Sequence, residues 1–229
     1  MTSQPDVDVI VFDILGTMVD EPGGIARGIR RLLPGAGDAR TGELVELWQR
    51  HVDEQQREIL AGRRPYAGST ELDAEAAARV AAEAGVGDAE AVRALAACGR
   101  RLEPWPDSVR ALDRIAARFP VVGLSNADRP ALTRISAHAG LRWHQVLSAE
   151  DARRYKPHPD VYRLALGSAG RPPDRLLMVA AHAWDLRGAQ AVGMRTAYVA
   201  RPVGDPPRRT DAFDLAAASL DELADRLAA

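Results

Sequence analysis

Apolar residues follow two different rhythms along the chain. Residues 7–12, Val-Asp-Val-Ile-Val-Phe, form a nearly unbroken apolar run that stops at a carboxylate, Asp13, and then at a Gly16-Thr17 turn. Such a run predicts a strand buried on both faces. Pro22, Gly23 and Gly24 then predict a loop or hinge. From there to about residue 102 the pattern is helical. Leu44, Leu47, Trp48, Ile59 and Leu60 recur at spacings near three and four, with charges between them. Residues 72–84 and 89–98 read as Ala-rich helices broken apart by Gly85 and Gly87. No strand is predicted between Asp20 and Leu102.

Glu103-Pro104-Trp105-Pro106-Asp107 is a stiff extended link. Asp107 or Ser108 then caps a helix through Val109, Leu112, Ile115 and Phe119. Beyond it, short apolar strands over 121–124, 145–148, 176–180 and 196–199 alternate with helices, and a polar, Pro-rich tail closes with a helix near 220–227. Strands separated by helices pair in parallel through right-handed crossovers. The expected fold is α/β, a doubly wound, Rossmann-like parallel sheet with an inserted α-helical cap domain. Residues 1–20 and 103–229 form the core, and residues 21–102 form a lid over the strand ends.

Composition narrows the functional classes. The chain has 229 residues, 46% hydrophobic and 27% charged, with a net charge of -2. That charge gives no electrostatic basis for nucleic acid or an anionic membrane as partner. The single cysteine, Cys98, excludes an internal disulfide and a cysteine zinc site. Residues 1–6 lack a basic stretch followed by an apolar one, so no signal peptide is expected. A cytoplasmic protein follows. The Ala-rich helices could pair two chains as a homodimer or pack internally.

In open α/β sheets, ligands bind beyond the carboxyl ends of the strands. Asp13, Ser125 with Asn126, Lys156 and Asp185 all fall at that edge. Taken singly, each has a plainer role as a turn, a helix cap or a solvated charge. Their order along this topology is what singles them out. The stretches Val11-Phe12-Asp13-Ile14-Leu15-Gly16-Thr17, Leu124-Ser125-Asn126, Tyr155-Lys156-Pro157 with Val161-Tyr162, and Ala183-Trp184-Asp185 together resemble the haloacid dehalogenase superfamily, and within it the (S)-2-haloacid dehalogenase group. Phosphatases of that superfamily place an acid two residues after the nucleophile and a Gly-Asp pair for magnesium. Here those positions are Leu15 and Ala180-Ala181.

The resemblance implies hydrolysis of short 2-haloalkanoic acids with no cofactor and no metal. Asp13 attacks the carbon bearing the halogen, and water hydrolyses the resulting ester. Lys156 keeps Asp13 ionised, Thr17 and Ser125 donate hydrogen bonds, and Asp185 positions or deprotonates the water. Leu15, Asn126, Gln49, Arg50, His182, Tyr162 and Trp184 are implied around a short carboxylate substrate, with Tyr162 reaching Lys156 or Asp13. The chain departs from the group at three places. The Arg that follows a cap-helix Trp and helps to bind halide is Gln49 here. Arg50 follows it, but one residue on a helix is a rotation of about 100°. The Ser and Asn of the last motif are Ala180 and His182, and Ala127 stands where Gly is usual. His182 either replaces the Asn structurally, bonding backbone, or assists Asp185 with water. A related hydrolase with a diverged substrate, such as another small carboxylate or a weakly cleaved phosphate ester, and a silent cap-mediated binding protein are the alternatives.

Overall fold

Strand β1 (Val9–Phe12) is wholly buried and lies in the middle of a six-stranded sheet, so both of its edges are paired. The computed structural model describes residues 6–228. Residues 1–5, part of the stretch read above as lacking a leader, and residue 229 lie outside the described residues. The other strands are β2 (Val121–Ser125), β3 (Gln145–Ser148), β4 (Leu176–Ala180), β5 (Arg195–Val199) and β6 (Leu215–Ala217). Their order is β3-β2-β1-β4-β5-β6, and every pairing is parallel. Phe12 stands beside Gly123 on one side and Val179 on the other. The residues following β1, β2 and β4 therefore emerge side by side.

Helices α5 (Ser108–Ala116), α6 (Arg129–Ala139) and α9 (Leu220–Ala228) cover one face of the sheet, with Ile10, Phe12, Leu177 and Val179 beneath them. Helices α7 (Pro159–Ala169) and α8 (Ala183–Ala191) cover the other, over Val9, Val11, Met178 and Ala180. The strand side chains alternate between these two cores, as the two-residue period requires.

Between β1 and α5 lie four α-helices, α1 (Glu21–Leu32), α2 (Asp38–Leu60), α3 (Ser69–Glu83) and α4 (Ala89–Ala96), and a short 3-10 turn, Cys98–Arg100. They enclose their own apolar cluster around Ile29, Leu44, Trp48, Ala76, Ala77 and Val80. The Ala-rich stripe of α3 is thus buried within the chain. The segment expected to be a loop at Pro22-Gly23-Gly24 is instead the first turn of α1. Proline is tolerated there because the first helical N–H groups have no intrahelical acceptor. The Asp20 carboxylate caps this turn by accepting from Gly23 N–H at 2.9 Å. A side chain at Gly24 would place Cβ 2.2 Å from Leu102 Cδ2, so this glycine permits close packing rather than bending. Among the described residues no helix is long and apolar enough to cross a membrane.

Two other differences from the sequence expectation are local. Strand β6 was hidden in the polar tail because it has only three residues, of which Ala216 is exposed. Asp107 stands at the start of α5, but its carboxylate does not cap that helix. It accepts from Leu220 N–H at 2.8 Å, at the start of α9, and pairs with Arg201 at 2.8 Å. Asp107→Ala should therefore lower the unfolding free energy by about 2–4 kcal/mol, through a lost helix cap and an unpaired, largely buried guanidinium. Urea denaturation followed by circular dichroism measures this, and a loss below ~0.5 kcal/mol would contradict the assignment.

Candidate active site

β1 delivers Asp13 to the carboxyl edge of the sheet, where its N–H donates to Val179 O at 3.0 Å. Asp13 as a whole is 4% exposed. Lys156 Nζ donates to Asp13 Oδ1 at 2.6 Å, to Asp185 Oδ2 at 2.6 Å and to Leu124 O at 3.2 Å. Thr17 Oγ1 donates to Asp13 Oδ2 at 2.6 Å and accepts from Ala181 N–H at 2.9 Å. One hydroxyl thus joins the turn after β1 to the loop after β4. His182 Nδ1 lies 3.3 Å from Asp13 Oδ2. Tyr162 OH donates to Asp185 Oδ1 at 2.7 Å.

The charges are strongly coupled. Burial alone would raise the pKa of Asp13, but Lys156 and His182 hold it well below the usual carboxylate range. Burial raises Asp185, and Lys156 only partly opposes this. Burial also disfavours the charge on Lys156, yet its two carboxylate partners more than offset that cost, and its pKa lies above the ordinary lysine value. For His182, burial pulls downward and the contact with Asp13 outweighs it.

Above Asp13 lies a cavity of about 310 Å³ between the sheet edge and α1, α2 and α3. Asp13, Lys156, Asn126 and Leu15 line its core side, together with His182 and Trp184. Gln49 lines it from α2. Asn126 braces the floor by accepting from Lys156 N–H at 2.8 Å, and its Nδ2 donates to Gln56 Oε1 on α2 at 3.4 Å.

Other expected site residues lie elsewhere. Asp185 is 0% exposed and does not line the cavity, because Lys156 and Tyr162 engage both of its oxygens. Asp185 is thus linked to the cavity through Lys156 rather than directly. Tyr162 reaches Asp185 rather than Lys156 or Asp13. The Ser125 hydroxyl accepts from Ala127 N–H at 3.2 Å within its own turn and does not line the cavity. Arg50 is exposed and pairs with Glu46 at 3.3 Å, as the one-residue rotation from Gln49 dictates. His182 meets the Asp13 carboxylate, rather than the backbone contact or the Asp185 partnership considered from sequence.

Three carboxyl groups were missed. Glu21 opens α1, Asp53 lies on α2 and Asp73 on α3, and all three face the cavity. Burial pushes Glu21 up to about 7 and Asp73 up to about 8, and it raises Asp53 as well. Asp73 carried a legible signal. It stands three, four and seven residues before the buried Ala76, Ala77 and Val80, so it lies on an apolar stripe. Gln49, Val52, Asp53 and Gln56 likewise recur at three- and four-residue spacings on one side of α2.

Comparison with known proteins agrees with this architecture. The family model described as haloacid dehalogenase-like hydrolase matches residues 7–193. A curated (S)-2-haloacid dehalogenase of Xanthobacter autotrophicus is 32% identical over 199 residues, covering 85% of this chain and 76% of the relative. The crystal structure of the L-2-haloacid dehalogenase PA0810 superposes with a TM-score of 0.88 at 29% identity, over 97% of this chain and 99% of that one. An L-2-haloacid dehalogenase from Xanthobacter autotrophicus with chloropropionic acid covalently bound gives 0.83 at 27% identity, over 96% and 97%. The match runs from β1 through the helical segment and past α8, and on that breadth the chain belongs to the haloacid dehalogenase-like hydrolase family.

Proposed function

We propose that this protein hydrolyses the carbon–halogen bond of short 2-haloalkanoic acids through an ester on Asp13, without a metal. The observation that carries this reading is a carboxylate at the cavity floor, bonded by Lys156 Nζ, with Leu15 at the position where an acid would protonate a leaving oxygen. Halide departs as a stable anion and needs no proton, whereas an alkoxide leaving a phosphate ester does. Lys156 lowers the pKa of Asp13 and so keeps it ionised at neutral pH. Asp13 attacks the carbon opposite the halogen, inverting it, and water then cleaves the ester at the Asp13 carbonyl. The donor set does not favour a metal. The position of a second magnesium carboxylate is Ala181, and Asp185 is held by Lys156 away from the cavity. Relatives named (S)-2-haloacid dehalogenase, and a neighbour with chloropropionic acid covalently bound, support the same chemistry.

A second reading is favoured by the carboxyl groups of Glu21, Asp53 and Asp73 and by Gln49 at the halide-binding position. In it, Asp13 serves the same chemistry on a substrate other than a small haloacid anion.

One turnover of L-2-chloropropionate in oxygen-18 water should place label in Asp13, seen by peptide mass spectrometry, and Asp13→Asn should reduce chloride release by several orders of magnitude. No halide release from fluoro, chloro or bromo acids would sink the first reading, and magnesium-dependent phosphate release from small esters would replace it. The cavity charge gives a further expectation. Between pH 6 and 9 Glu21 and Asp73 lose protons, so the cavity grows more negative and an anionic substrate binds less well. KM should rise roughly tenfold per carboxylate, one ~1.4 kcal/mol repulsion each, and Asp73→Asn should flatten the upper part of that profile. A KM independent of pH in the parent enzyme would contradict the assignment.

A further inference from the structure

The ester reading leaves a gap at its second step. Water attacking the Asp13 carbonyl must give up a proton, and Asp185 is sealed behind Lys156 with both oxygens engaged. Two basic groups line the cavity beside Asp13, and of these Lys156 is held as an ammonium by two carboxylates, which leaves the imidazole of His182. We propose that His182 is the general base of ester hydrolysis and the acid that protonates the departing alcohol, an inference that rests on the aspartyl-ester reading above.

The ring is held for this purpose from several sides. Ala181 N–H bonds Thr17 Oγ1 at 2.9 Å, Asp205 N–H bonds Ala181 O at 3.0 Å and Ala183 N–H bonds Asp205 O at 2.9 Å, so the backbone on both sides of His182 is fixed. Trp184 flanks the imidazole at 5.7 Å between ring centres. Gly16, at φ +78°, supplies the space. A Cβ there would lie 2.6 Å from His182 Cε1 and 3.0 Å from Nε2. The ring accordingly rests against the turn that follows Asp13.

The surrounding charges let one imidazole serve in both roles. His182 faces Asp13 from β1, Lys156 from the loop before α7, Asp185 from α8, Glu21 from α1 and Asp53 from α2. The Asp205 carboxylate is occupied by Trp184 N–H. In the resting enzyme the Asp13 carboxylate favours the imidazolium. Alkylation of Asp13 expels halide and removes that negative charge. His182 then loses its proton to solvent, which is the one net proton of the overall hydrolysis. Water adds to Asp13 Cγ and passes a proton to His182, while Lys156 at Oδ1 stabilises the oxyanion. The Cγ–O bond to the substrate breaks, and His182 protonates the departing alkoxide. The Asp13 carboxylic acid finally returns its proton to His182. Water has thus supplied one proton to the alcohol and one to restore the imidazolium, and no other reactant is consumed.

The test separates the two steps with L-2-chloropropionate, following chloride, lactate and intact protein mass over the first turnover in the parent enzyme, His182→Gln and His182→Ala. Both variants should release about one equivalent of chloride per chain. They should then accumulate a covalent adduct on Asp13, with lactate release slowed about a hundredfold or more and its dependence on pH near neutrality lost. Lactate release at the parent rate and pH profile in either folded variant overturns the role of His182 alone. Failure of a variant to release chloride where the parent does moves His182 to the first step and likewise overturns the proposal. No chloride and no adduct in the parent enzyme overturns the ester reading, and this inference with it.

Discussion

A buried ammonium with three acceptors holds the site together. Lys156 gives its three N–H groups to Asp13, Asp185 and the Leu124 carbonyl. Those acceptors belong to the ends of β1, α8 and β2, so one cation fastens three separate segments of chain. Burying three charges is expensive, and the cluster holds only because every oxygen and every N–H finds a partner. Tyr162 completes Asp185, and Thr17 and His182 complete Asp13. Loss of one member of such a buried set typically costs ~3–5 kcal/mol, so the machinery for chemistry is also structural.

The cluster explains why two carboxylates of the same type behave differently. Asp13 has the lysine on one oxygen and two further donors on the other, and it stays strongly acidic. Asp185 lies deeper, shares the same lysine and is raised. The first is exposed to a cavity and the second is not. In the proposed mechanism, depth and hydrogen bonding rather than residue type separate the attacking carboxylate from its counter-ion.

Much of this was legible in the sequence because burial on both faces leaves continuous apolar runs. β2 and β4 were recognisable beside β1 for that reason, the edge strand β3 and the partly exposed β5 only from short apolar stretches between helices, and Asp13, Asn126, Lys156 and Asp185 stood out because each follows such a run or precedes a helix at the same edge. The rest depended on direction rather than position. A strand-end pattern places Asp185 near Lys156 but cannot tell on which side of the lysine the cavity lies. Pro22-Gly23-Gly24 looks like a hinge until Asp20 is seen to cap the turn and Leu102 to press against Gly24. Gln49 and Arg50 differ by a helical rotation, so one faces the cavity and the other solvent. Asp73 was readable as a charge on an apolar stripe, whereas Glu21 carries no such mark.

The two connections between helices and sheet run side by side. Val19 bridges Pro104, Asp20 N–H meets Glu103 O at 2.9 Å, and Trp105 N–H meets Met18 O at 3.1 Å. The helical segment therefore leaves and re-enters the core at nearly one point, like a module plugged into a single socket. Gln49, Asp53, Gln56, Asp73 and Glu21 lie on the module, whereas Asp13, Thr17, Lys156, His182 and Asp185 lie on the socket side. The cavity is consequently a seam between two parts of the chain, and Asn126 with Gln56, Asp128 with Ser69 and Thr70, and Tyr155 with Ala67 stitch that seam at points far from the socket.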